Sequence, residues 1–136
     1  MSAWTSGTPR PHGCVLLLED DTSFRQVLVE LLEAEGLTVS TCDSYALLCE
    51  AARSGPKCVV LADFWGSSHA QLSPSERDQI RHLGRQAPTI LLTGRAWAET
   101  ATPEDLNIVT VSFKPPVLDE LVEQIRRCLN LVCRCV

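Results

Sequence analysis

No apolar stretch in this sequence approaches the ~18 residues of a membrane-crossing helix, so a spanning segment of that kind is excluded. The segment from Met1 to Gly13 also lacks the apolar centre of a secretory signal, and a cytoplasmic location is expected. Positive charge is short: 12 Lys and Arg stand against 17 Asp and Glu, for a formal net charge of -5. Nucleic-acid backbones are gripped mainly by clustered cations that release counterions, so direct nucleic-acid binding is not expected. The seven cysteines, at 14, 42, 49, 58, 128, 133 and 135, include no CxxC pair. An odd, unpatterned set argues against a disulfide framework, and most are expected as small buried hydrophobes. No His or further Cys near Cys128, Cys133 and Cys135 completes a four-ligand zinc set, and these read as thiols of a helix end and a frayed tail. There is no internal repeat and no linker; 45% hydrophobic and 21% charged residues fit one globular domain.

What the chain does have is an ordered set of four short apolar runs, each closed by a different kind of polar residue. Leu18 gives way to Glu19 and Asp20, Ala62 to Asp63, Leu92 to Thr93, and Phe113 to Lys114. Continuous runs such as Cys14 to Leu18 and Cys58 to Ala62 have the form of strands buried on both faces of a parallel sheet. The carboxyl ends of such strands share one edge, where open α/β sheets bind their ligands. Three carboxylates, a hydroxyl and an ammonium are therefore expected in one shallow cleft.

Helical patterns separate the runs. Asp21, Thr22 and Ser23 can cap a helix in which Phe24, Val27, Leu28, Leu31 and Leu32 recur at three- and four-residue spacing, with Gly36 as its stop. Leu37 to Thr41 alternates as a short strand. Ser44 to Arg53 reads as a helix with Leu47, Leu48 and Ala51 inward, before Gly55-Pro56 breaks the chain. Phe64 to Leu72 has no period and reads as a loop over the carboxyl edge, where loops carry function. Ser73-Pro74-Ser75-Glu76 is a capping box, and Ile80 and Leu83 mark the buried side of the helix it opens. Thr89 to Leu92 is a fourth strand. Gly94 to Asn107 supports only a short or irregular helix, because Thr100, Thr102 and Pro103 interrupt it. Ile108 to Phe113 is a fifth strand, and Leu118, Leu121, Val122, Ile125, Leu129 and Val132 stripe the last helix. Right-handed crossovers then predict a doubly wound five-stranded parallel sheet in the flavodoxin-like order 2-1-3-4-5, with helices on both faces. This domain is expected over residues 13–132, with a loose arm at 1–12 and a tail at 133–136.

Glu19, Asp20 and Asp63 held close together would repel one another unless a hard cation that prefers oxygen, with Mg²⁺ the one expected, neutralises them. An anion brought to that cation needs a second positive charge and a hydrogen-bond donor, which Lys114 and Thr93 can supply. That combination suits a phosphoryl group.

From about Cys14 to Val132 the chain resembles the receiver domain of two-component response regulators. The likeness rests on Leu-Leu-Leu-Glu19-Asp20-Asp21, Val-Val-Leu-Ala-Asp63, Ile-Leu-Leu-Thr93-Gly94 and Phe113-Lys114-Pro115, in that order and at the family's spacings. The resemblance implies a stand-alone phosphorylation switch in which a histidine kinase, a phosphotransfer protein or a small phosphodonor modifies Asp63 with Mg²⁺ bound. It implies Asp20, Asp63 and the Trp65 carbonyl as direct metal ligands and Glu19 as a ligand mainly through water. Thr93 and Lys114 would contact phosphoryl oxygens, and Lys114-Pro115 would be a cis peptide. Output would pass to an unidentified protein through the face of the fourth helix, fifth strand and fifth helix, and a homodimer through the face of the last helix is compatible with it. Catalysis would extend no further than the domain's own phosphorylation and dephosphorylation.

Several positions depart from the family. The usual Pro four residues after the phosphoacceptor is Ser67, the Gly about eight after it is Gln71, and the switch ring of the fifth strand falls on Val111. Trp65 and Arg95, where the family's residues govern access of hydrolytic water, are both large, and a long-lived phosphoryl group is expected. His12, His69 and His82 read as exposed polar residues rather than phosphotransfer sites. A phosphorylation-independent interaction module is the alternative reading. A Mg²⁺-dependent phosphohydrolase ranks last, because Trp65 stands where a second acid would protonate the leaving group.

Overall fold

Cys14–Glu19 is buried along its whole length, as a strand flanked by neighbours and covered on both faces must be, and it forms β1. The computed structural model of the chain describes residues 14–54, 58–63 and 71–134. Around β1 lie β2 (Thr38–Cys42), β3 (Val59–Asp63), β4 (Thr89–Thr93) and β5 (Thr110–Phe113), all parallel in the order β2-β1-β3-β4-β5. This is the predicted doubly wound order. Alternate residues of each strand feed opposite faces. Val15, Leu17, Val59, Leu61, Ile90 and Leu92 meet α1 (Thr22–Ala34) and α5 (Leu118–Arg134). Leu16, Leu18, Val60, Ala62 and Leu91 meet α2 (Tyr45–Ser54), α3 (Pro74–Gln86) and the short α4 (Pro103–Leu106). Among the described residues no helix is long and apolar enough to cross a membrane.

The caps form where the sequence places them. Asp21 accepts from the Phe24 amide at 3.0 Å. Gly36, at φ 89, adopts the left-handed conformation that lets the Leu37 amide return to Leu32 O and close α1. Ser73 and Glu76 form the reciprocal capping box, with Pro74 opening α3. The weakly patterned stretch after β4 divides into a 3₁₀ turn at Ala96–Glu99 and an α4 of one turn, bounded by Pro103 and by Asn107 in the left-handed conformation.

Three expectations are corrected. Val27, Leu31 and Leu47 are exposed rather than inward. The stripe that α1 lays on the sheet has a spacing of four, Phe24, Leu28 and Leu32, which leaves Val27 and Leu31 on its flank; on α2 only Leu48 is fully covered. The fifth strand begins at Thr110, not Ile108. Cys14 and Cys58 are joined by a disulfide, where free thiols were expected. The β1–β3 register that pairs Val15 with Val59 sets the two cysteines side by side, with Cα atoms 4.7 Å apart. An odd count excludes complete pairing, not a single bond. Cys42, Cys49 and Cys128 are free, and Cys128 is buried on α5.

Candidate functional site

Register assembles the acidic edge. β1 and β3 run in step to their last residues, so Glu19 and Asp63 are direct cross-strand partners. They follow Val15, Leu17, Val59 and Leu61 in strand alternation and therefore share the α1/α5 side of the sheet. Asp20 comes next, exposed where the chain leaves β1 for the α1 cap. One carboxylate oxygen from each of Glu19, Asp20 and Asp63 lies within 4.8 Å of the others.

Lys114 closes the cluster from the end of β5. Its amide donates to Thr93 O at 2.9 Å, which fixes the backbone beside β4. Its ammonium pairs with Asp63 Oδ2 and lies 2.7 Å from Glu19 Oε1. Lys114-Pro115 is cis, as the resemblance implied. Burial acts to lower the Lys114 pKa, but its close pairing with the Asp63 and Glu19 carboxylates outweighs it and leaves it raised. The Glu19 side chain is 0% exposed, and its burial pushes the carboxyl above the usual range against the opposing pull of Lys114 and the Asp21 amide. Glu19 Oε2 accepts from that amide at 3.1 Å.

Buried Glu19 Oε1 has the ion pair with Lys114 but no well-directed hydrogen bond. Such an oxygen, beside two further carboxylates, fits a hard divalent cation of the Mg²⁺ type. Thr93 is 1% exposed, and its hydroxyl accepts from the Arg95 amide at 3.0 Å, so it sits beneath the cleft rather than on its wall. The cleft, of about 330 Å³, lies between the carboxylates and Asp21 on one side and Gly94, Arg95 and Lys114 on the other. A larger one of about 520 Å³, lined by Arg77, Trp97, Thr102 and Asp105 among others, gathers no comparable set of charges. Size does not pick the site here; chemistry does.

Trp65, Ser67, His12 and His69 lie outside the described residues, as do the side chains of Val132 and Cys133 and all of Cys135. Gln71 lines the larger cleft, and His82 is exposed on α3. Two residues of α1 escaped the sequence reading. Phe24, read only as core, places its ring 4.7 Å from Lys114 Nζ, centroid to nitrogen. Arg25 donates to Glu19 O at 3.4 Å and approaches Asp43 at 3.7 Å. Helical periodicity assigns a residue to a face, and cannot say which strand end that face will meet.

No protein-family model matches the chain, and no curated protein matches it either. Its fold is nevertheless that of solved receiver domains. A CheY-like response regulator receiver domain from Methanospirillum hungatei is 20% identical, with a TM-score of 0.66 over 90% of this chain and 98% of that one. The signal receiver domain of an HD domain-containing protein from Pseudomonas fluorescens is 19% identical, with a TM-score of 0.72 over 96% of each chain. A response regulator receiver domain from Clostridium thermocellum is 21% identical, with a TM-score of 0.70 over 91% of this chain and 99% of that one. At these identities the likeness establishes the fold, and the acidic edge occupies the end of the sheet where this fold binds ligands.

Proposed function

We propose that the chain is a phosphoacceptor receiver of a two-component relay, modified on Asp63 and signalling through protein–protein contacts. The observation that carries the reading is Lys114 reaching from β5 to pair with both Glu19 and Asp63, at an edge where three carboxylates converge. In the proposed step an Asp63 oxygen attacks the phosphorus of a phosphohistidine or a small acyl phosphate. The bond from phosphorus to the donor atom breaks, and its electron pair leaves with the donor. The Lys114 ammonium, already beside Asp63, pairs with a phosphoryl oxygen, and the Thr93 hydroxyl, buried beneath the cleft, would have to turn toward the group to hydrogen-bond another. Asp20 and Asp63 would hold Mg²⁺ with the Trp65 carbonyl, and Glu19 would hold it mainly through water; when bound, the ion neutralises charge on the phosphoryl oxygens. Incubation with a phosphodonor and Mg²⁺ followed by intact mass tests the proposal: a gain of one phosphoryl group is expected, and no gain refutes it.

Two further outcomes follow. Asp20→Asn removes a full charge from the ion's partners, and Mg²⁺ affinity measured by calorimetry should fall by at least about tenfold. Unchanged affinity would mean the ion sits elsewhere. Arg95 lines the cleft directly after Gly94, so its guanidinium can pair with phosphoryl oxygens and hinder water. Phosphate release from Arg95→Ala should be roughly threefold faster than from wild type, the scale of one exposed charge contact. Equal time courses would remove Arg95 from that role.

The donor would be a histidine kinase or a phosphotransfer protein, and output would use the face of α4, β5 and α5, where Val109 just before β5, Phe113 at its end and the following Val117 are exposed. A second reading, a module that binds its partner regardless of phosphorylation, is favoured by the one-turn α4 and by half-buried Val111 in place of a switch ring. A beryllofluoride-dependent spectral shift of the partner-facing residues supports the switch; its absence supports the second reading.

A further inference from the structure

Lys114 is held from three directions, two of them acidic and one aromatic. Beyond the pairs with Glu19 and Asp63, its Nζ stands 4.7 Å from the Phe24 centroid, inside the roughly 6 Å over which a ring face attracts a cation. The ring belongs to a different layer of the protein. Phe24 lies in the first turn of α1 and packs, half-buried, on the cluster shared with α5. Its backbone is pinned by the cap, its amide donating to Asp21 Oδ1 at 3.0 Å, while the Asp21 amide donates to Glu19 Oε2 at 3.1 Å. One short segment thus sets both the Glu19 carboxylate and the ring.

We propose that Phe24 is a positioning residue whose ring holds the Lys114 ammonium over the ends of β1 and β3, so that an incoming phosphoryl group meets a cation already in place. The proposal rests on Asp63 being the phosphoacceptor. A lysine is a compact charge on a flexible four-carbon stem, and two carboxylates alone fix its distance better than its direction. The ring adds the third contact. A cation aligned beforehand costs no reorganisation when negative charge develops, which is where its contribution to rate lies.

Phe24→Leu keeps apolar bulk against α1 and α5 but offers no π face, whereas Phe24→Tyr keeps the face. In the unmodified protein, the Lys114 Hε resonances should be shifted upfield by the ring in wild type and Phe24→Tyr and return to ordinary lysine positions in Phe24→Leu. Phosphoryl uptake from acetyl phosphate with Mg²⁺ should be roughly threefold to tenfold slower in Phe24→Leu and near wild type in Phe24→Tyr. The penalty should vanish when both are compared in a Lys114→Met background, because the ring acts only through the ammonium. An unshifted Lys114 in wild type, or an equal penalty in the Lys114→Met background, overturns the proposal. No uptake by wild type, with the ring shift present, overturns instead the phosphoacceptor reading and with it the purpose assigned to the ring.

Discussion

Asp63→Asn should take up no phosphoryl group, with incorporation by intact mass below about one hundredth of wild type, because a carboxamide lacks the anionic oxygen that attacks phosphorus. The substitution is nearly isosteric. Asp63 ends β3 and is only partly buried, so the sheet beneath it, held by the apolar residues Val59 to Ala62, should be unaffected. Lys114→Ala should differ in kind. It removes the cation shared by Glu19 and Asp63 but leaves the attacking oxygen, so slow transfer should persist while the response to it is impaired. Full modification of Asp63→Asn under the same donor would place the nucleophile elsewhere.

Gly84→Ala should be among the most destabilising single methyl additions to this protein. A Cβ built on Gly84 would stand 1.9 Å from Asn107 O and 2.9 Å from its carbonyl carbon, both backbone atoms at the end of α4. Backbone cannot step aside as the tip of a flexible side chain can, so α3 and the α4–β5 connection must separate, at a cost of about 3 kcal/mol. Gly36 is the informative contrast. It needs its left-handed φ of 89, but a Cβ there meets nothing within 4 Å. Gly36→Ala should therefore cost only about 1 kcal/mol, from backbone strain alone. Urea unfolding of the two variants beside wild type measures the difference. Equal losses would mean that the close approach of Asn107 to α3 does not hold in solution.

The sequence by itself determined the sheet and which polar residues meet at its acidic edge. Apolar runs of only four to six residues, closed by caps and turns, read as strands covered on both faces, and parallel strands put Glu19, Asp20, Asp63, Thr93 and Lys114 at one end. The caps at Asp21 and Ser73, the stop at Gly36 and the short fourth helix were legible for a related reason. Each depends on a few consecutive residues whose backbone preferences are local. The tertiary structure alone decided what depends on distance across elements. It set Cys14 beside Cys58 through strand register, turned Val27, Leu31 and Leu47 outward because each helix lays one narrow stripe on the sheet, and buried Thr93 beneath the cleft instead of on its wall. It also brought the Phe24 ring to Lys114 from 90 positions away in the chain. Periodicity fixes which residues share a face; only packing fixes what that face meets.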